Sequence, residues 1–153
     1  MKVHTDNLNA ALKVVSTTVS TQGDIGSHFL FTQKEDGWAS IHSTNTQCYT
    51  SVPIPLVSGD VSAPFTVEAK RLQKVLGTIG DGVIDVDLCS GDDAGEVRVT
   101  SLRGELFLSS LDPKDFPQWG DGLKDAKPSG TVNAKALHSA ISYSRMFLSD
   151  KEG

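Results

Sequence analysis

The sequence predicts an α+β fold in which one βαβββ unit occurs twice, with its helices on one face of antiparallel sheets. Three observations carry this. Segments 2–12, 66–76 and 131–141 align without gaps, and their apolar positions coincide: Val3, Leu8 and Leu12, then Val67, Leu72 and Leu76, then Val132, Leu137 and Ile141, at spacings of 64 and 65 residues. Such a period is too long for most solenoid repeats and suits one helix followed by several strands. Between the aligned segments the apolar period changes from that of a helix to strict alternation. Finally, the acidic residues avoid the predicted helices.

Each element follows in order. Residues 7–20 place Leu8, Leu12, Val15 and Val19 on one helical stripe. The runs 28–33, 38–42 and 47–53 then read as three antiparallel strands, parted by turns such as Glu35-Asp36-Gly37. A second helix, residues 69–79, turns Leu72, Val75, Leu76 and Ile79 inward. Ile84, Val86 and Leu88 alternate with Asp85 and Asp87, and Val97, Val99 and Ser101 with Glu96, Arg98 and Thr100; Leu106 and Leu108 continue as a third strand. The intervening turns, 91–95 and Arg103-Gly104, are short enough for hairpins. A third helix is expected at about 134–148, with five residues beyond it. Residues 113–130 are interrupted by Pro and Gly and carry much charge, and the expected organisation is a domain at 1–117, a linker at 118–130 and the opening of a second domain at 131–153.

Composition bounds the function. The formal charge is −5, which on average argues against nucleic acid, but placement matters more than the average. No Asp or Glu occurs in 7–23, 69–80 or 126–149, windows that carry Lys13, Lys70, Arg71, Lys74, Lys127, Lys135 and Arg145. The acids Asp36, Asp60, Asp81, Asp85, Asp87, Asp92, Asp93 and Glu96 fall on strands and turns instead. A basic helical face on an acidic protein suits a polyanion held by its backbone without base readout, although a merely solvated helix face has the same composition. Asp85 and Asp87, two apart on an outward strand face, read as solubility features. Cys48 and Cys89, outside any CxxC, read as reduced core residues, and the four histidines lack metal-ligand spacing. No P-loop, dinucleotide fingerprint or nucleophile elbow occurs, so neither an enzyme nor a cofactor is indicated. No run reaches the roughly 18 apolar residues of a membrane span, and the first residues lack a signal peptide's apolar region, so a cytoplasmic location with no membrane partner is expected.

Residues 99–117, VTSLRGELFLSSLDPKDFP, resemble the end of the first domain of the bacterial DNA polymerase III β sliding clamp, whose pattern there is approximately S-x-R-x-x-F-x-L-x-x-L-P-x-x-D-F-P. Ser101, Arg103, Leu108, Leu111, Asp115, Phe116 and Pro117 match, while Leu106 replaces Phe and Asp112 replaces Pro. The similarity extends to the first helix, to Thr66-Val67, and to Phe147-Leu148-Ser149-Asp150-Lys151-Glu152. Gln22-Gly23-Asp24-Ile25-Gly26 stands where the family has a basic, proline-containing segment, and Thr44-Asn45 where it has Thr-Asp, departures that fit a divergent, phage-encoded member.

The resemblance implies a DNA-clamp domain whose helices line a hole around duplex DNA and whose sheets form the outside. It implies DNA binding through Lys13, Lys70, Arg71, Lys74 and Arg145. The family does no chemistry; it tethers a polymerase by topology, is loaded by a clamp loader, and closes as a ring of two subunits with three domains each. Those partners would act through domains beyond these residues. The strand of Leu106 and Leu108 would meet the neighbouring subunit, with both side chains entering a small pocket, whereas alternation alone equally suits ordinary core. The alternative reading is a stand-alone, clamp-like module that binds protein and does not encircle DNA.

Overall fold

The computed structural model describes residues 1–20, 25–45, 47–90, 95–117 and 130–145, the last without the Arg145 side chain. Gln22 to Asp24, Asp92, Asp93, Lys127, most of the expected linker and residues 146–153 lie outside the described residues. The chain divides into two units, Met1–Gln118 and Trp119–Gly153.

In the first unit the order is β1 (Lys2–His4), α1 (Thr5–Val15), β2 (His28–Glu35), β3 (Trp38–Thr44), β4 (Tyr49–Pro55), β5 (Phe65–Glu68), α2 (Ala69–Ile79), β6 (Val83–Leu88), β7 (Glu96–Ser101) and β8 (Gly104–Ser109). The expected βαβββ unit is therefore present twice. Its first strand, however, is exchanged between the repeats. One antiparallel sheet runs β1-β6-β7-β8 and the other β4-β3-β2-β5, so each sheet borrows one strand from the other repeat. Thr5, fully buried at the start of α1, fastens this exchange: its hydroxyl accepts from Gly82 N–H at 3.0 Å, and its own N–H donates to the Gly82 carbonyl at 2.8 Å.

Alternation decides what each strand buries. Phe29, Phe31, Ile41 and Ile54 from one sheet and Ile84, Val86, Val97 and Val99 from the other meet Leu8, Leu12, Val15, Leu72, Leu76 and Ile79 from the helices in one core. Each such side chain contributes about 1.5–3 kcal/mol on leaving water.

α1 is shorter than its apolar stripe suggests. It ends at Val15 and continues as a 3-10 turn, Ser16–Thr18, because the Ser16, Thr17 and Thr18 hydroxyls bond back to the carbonyls of Leu12, Val14 and Val15. α2 matches its expected limits and ends on Gly80, whose φ of 78° a side chain would resist. Cys48 and Cys89 are free thiols, as expected, but neither is core: Cys48 is exposed in the β3–β4 turn, its N–H donated to Asn45 Oδ1 at 2.8 Å, and Cys89 is half-exposed at the end of β6.

In the second unit α3 spans Ala134–Arg145, capped by Asn133, whose Oδ1 accepts the Ala136 N–H at 3.1 Å. Leu137 and Ile141 occupy the repeat positions that are buried in α1 and α2, yet both are exposed.

Candidate nucleic-acid interface

α1 and α2 adjoin through Gln73, whose Nε2 donates to Ser16 Oγ at 2.6 Å. Their buried stripes face the sheets, which leaves Lys13 in the last turn of α1 and Lys70, Arg71 and Lys74 along α2 exposed. Lys70 and Lys74 are one turn apart on the same face of α2. Arg71 is partly committed, because its Nε lies 2.7 Å from Glu68 Oε2 just before the helix. Among the described residues no ion pair engages Lys13, Lys70 or Lys74.

The charge separation expected from sequence needs one correction. α1 begins at Thr5, so Asp6 lies in its first turn, and Glu68 immediately precedes α2. Both acids sit where the positive end of the helix dipole stabilises them. The bodies of both helices remain free of acid, while Asp85, Asp87 and Glu96 lie on strands and Asp36 and Asp81 in turns. In the second unit, taken by itself, Lys135 on α3 is exposed.

Leu106 and Leu108 are not a surface pair. Both point toward the inner face of β8, opposite Val99 and Val97, but Leu108 is 6% exposed and belongs to the core, whereas Leu106 is 40% exposed. The difference arises because Leu106 lies beyond the end of α2, at a cleft of about 220 Å³ bounded by Thr78, Ile79, Ser101, Arg103 and Glu105. Phe107, on the opposite face, is 51% exposed.

Several positioning contacts had no sequence signal strong enough to name them. Arg103 Nη1 donates to the Thr78 carbonyl at 2.9 Å and its guanidinium lies over Gly80, which ties the β7–β8 turn to the end of α2. Asp85 and Asp87 do more than keep an outer face wet: the Met1 ammonium, buried, donates to Asp87 Oδ1 at 3.0 Å and to the Val86 carbonyl at 2.9 Å, with Asp85 Oδ1 at 3.4 Å. Only the strand exchange, invisible in one linear repeat, brings β1 there. On the outer face of the other sheet His42 is held between Thr32 Oγ1, 2.8 Å from Nε2, and Tyr49 OH, 2.7 Å from Nδ1. Burial lowers the His42 pKa below 6.5 and raises that of Tyr49 above 10.0. Among the described residues no cluster of His, Cys, Asp or Glu could hold a metal ion, and no helix is long and apolar enough to cross a membrane.

No family model and no curated protein matches the sequence. Solved structures do match the fold. The DNA polymerase III subunit beta from Pseudomonas aeruginosa superposes on all of the chain with a TM-score of 0.78 at 18% identity. The Helicobacter pylori beta clamp bound to a DNA ligase peptide matches 93% of it at 0.77 and 17%, and the beta subunit of Streptococcus pyogenes DNA polymerase 92% at 0.74 and 18%. The fold is that of the β sliding clamps. At these identities the likeness carries the backbone plan, two exchanged βαβββ repeats with paired helices, and not the side chains. The chain spans about two fifths of the length of these clamps, 40%, 38% and 37% respectively.

Proposed function

We propose that this chain is part of a DNA sliding clamp subunit, with domains at 1–117 and from 131 onward joined by the 118–130 linker, and that it tethers a polymerase to duplex DNA without performing chemistry. What supports this reading is one observation: in a clamp fold, the exposed faces of the two adjoining helices carry Lys13, Lys70, Arg71 and Lys74 and no acid within their bodies. Mobile cations on helices contact phosphates without reading bases, so the duplex is held but not pinned in register. Arg145, on α3 of the second unit, is proposed as a separate phosphate contact. The polymerase and clamp loader would act through further domains. In a closed ring the neighbouring subunit would meet the β8 edge at Leu106, which is exposed, rather than at Leu108.

Duplex binding by the chain itself tests the DNA contact. Fluorescence anisotropy with a labelled duplex over a salt series should give weak, sequence-independent binding that fades as salt rises. The triple variant K70E/R71E/K74E should weaken it more than tenfold at low salt and flatten the salt slope by about 2–3. An unchanged slope removes the helical face from the interface.

A further inference from the structure

Lys70, Lys74 and Gly77 follow one another at i, i+4 and i+7 on α2, so they form one exposed stripe on the face opposite Leu72, Leu76 and Ile79. Two of the three are cations of the candidate interface. The third has no side chain, and glycine is, after proline, the costliest residue inside a helix.

Nothing among the described residues accounts for that cost. Gly80 has two reasons of its own: its φ is 78°, and the Arg103 guanidinium lies 3.6 Å from where a Cβ would stand. Gly77 has neither, because its backbone is ordinary helix and a Cβ there would meet no described atom within 4 Å. It does not end the helix, since Gly80 does so and donates its N–H to the Leu76 carbonyl at 3.3 Å. Nor is it a hinge: on its C-terminal side the Thr78 hydroxyl donates to the Lys74 carbonyl at 3.0 Å, and the Thr78 carbonyl accepts from Arg103. The repeats sharpen the point. At their spacing of 64 residues Lys13 of α1 corresponds to Gly77, and Ala10 to Lys74, and all four are exposed. Each helix carries a lysine where the other carries a small residue.

We infer that Gly77 is a gap kept for the ligand of this face: a sugar–phosphate strand of the duplex lies against the bare turn of α2, with Lys70 and Lys74 reaching beside it. The inference deepens the DNA reading and rests on it. Glycine permits the closest approach of a ligand to backbone. A phosphate that reaches the helix surface, instead of standing off by one side chain, sits nearer both ammonium groups, and their attraction grows as the distance shortens. The Gly77 N–H is spent within the helix, so the contact adds no directional hydrogen bond and does not fix the duplex in register. On α1 Lys13 fills the corresponding place, so the two helices meet the duplex at different depths.

Gly77→Ala and Gly77→Leu test it, by duplex anisotropy titration beside thermal melts of the same chain. Alanine should raise the melting temperature by about 2–4 °C, because it costs the helix less and meets nothing. It should nevertheless raise the duplex Kd about threefold at low salt, and leucine at least about tenfold. Neither variant removes a charge, so the salt slope should stay that of the wild type, unlike that of K70E/R71E/K74E. A stabilised alanine variant with wild-type affinity overturns the inference. So does one that is not stabilised, since the glycine would then serve the fold. If both Gly77 variants bind like wild type while the triple variant loses its slope, the gap is wrong and the DNA reading stands; a wild-type chain without salt-dependent binding ends both.

Discussion

The two repeats share a backbone plan and divide the work unequally. The first lines its sheet with the larger core side chains, Phe29, Phe31, Ile41 and Ile54, and Phe31 stacks on Phe65 of the strand lent by the second repeat at 4.9 Å between centroids. The second packs its sheet with Ile84, Val86, Val97 and Val99, which are smaller, but its helix carries three cations to the first helix's one. Similar backbones thus tolerate different side chains so long as each repeat lends a strand to the other. The bulkier sheet side chains lie in one repeat and most of the helical cations in the other.

The largest effects should come from the strand where core and edge meet. Leu108→Asp places a carboxylate among Val97 and its neighbours and should cost on the order of 5 kcal/mol of folding stability, whereas Leu106→Asp, at the open cleft, should change it by less than about 1 kcal/mol. Urea denaturation of both variants separates the two faces. If Leu108→Asp folds normally, the inner face of β8 is not core. Next, Phe31→Ala should cost about 3–5 kcal/mol and Val99→Ala, which removes less from an equally buried site, about 2 kcal/mol. Equal losses would break the claim that the first sheet holds the bulkier packing. Arg103→Ala should cost about 1 kcal/mol, because the Thr78 carbonyl it serves is exposed and water can replace the guanidinium.

Much of this was legible in the sequence, for physical reasons. Strand alternation and the helical stripe of Leu72, Leu76 and Ile79 follow from burial on one face, which single residues report faithfully. The cation placement on α2 was equally plain, since helix limits and charge are both local. What escaped is non-local. No pattern within one repeat shows that β1 leaves it to pair with β6, and hence none shows Asp85 and Asp87 around Met1. Leu106 and Leu108 obey the same alternation, and only the position of α2's end decides which of them is covered. The premature end of α1 was readable in Ser16-Thr17-Thr18, whose hydroxyls compete for helix carbonyls, but Val19 continued the apolar stripe and outweighed it.

The smallest expected effect contrasts the outer faces of the two sheets. The first holds His42 between Thr32 and Tyr49, half-buried, while the corresponding face of the second holds Asp87 and Arg98, 3.8 Å apart and solvated. Burial depresses the His42 pKa below its ordinary 6.5, so the folded protein resists a proton that the unfolded chain accepts. Between the depressed value and 6.5 the unfolded state binds more protons, and stability must rise with pH across that window. The contribution is complete above 6.5 and is lost as pH falls toward the folded value, below which it declines no further. His42→Gln can bond both hydroxyls without titrating, and every other ionisable group is common to the two proteins. The melting temperature of the wild type relative to this variant should therefore drop as pH is lowered from neutral into the mildly acidic range. A difference that stays constant with pH would mean that the His42 site is as wet as the Asp87–Arg98 surface, and the contrast between the two outer faces would vanish.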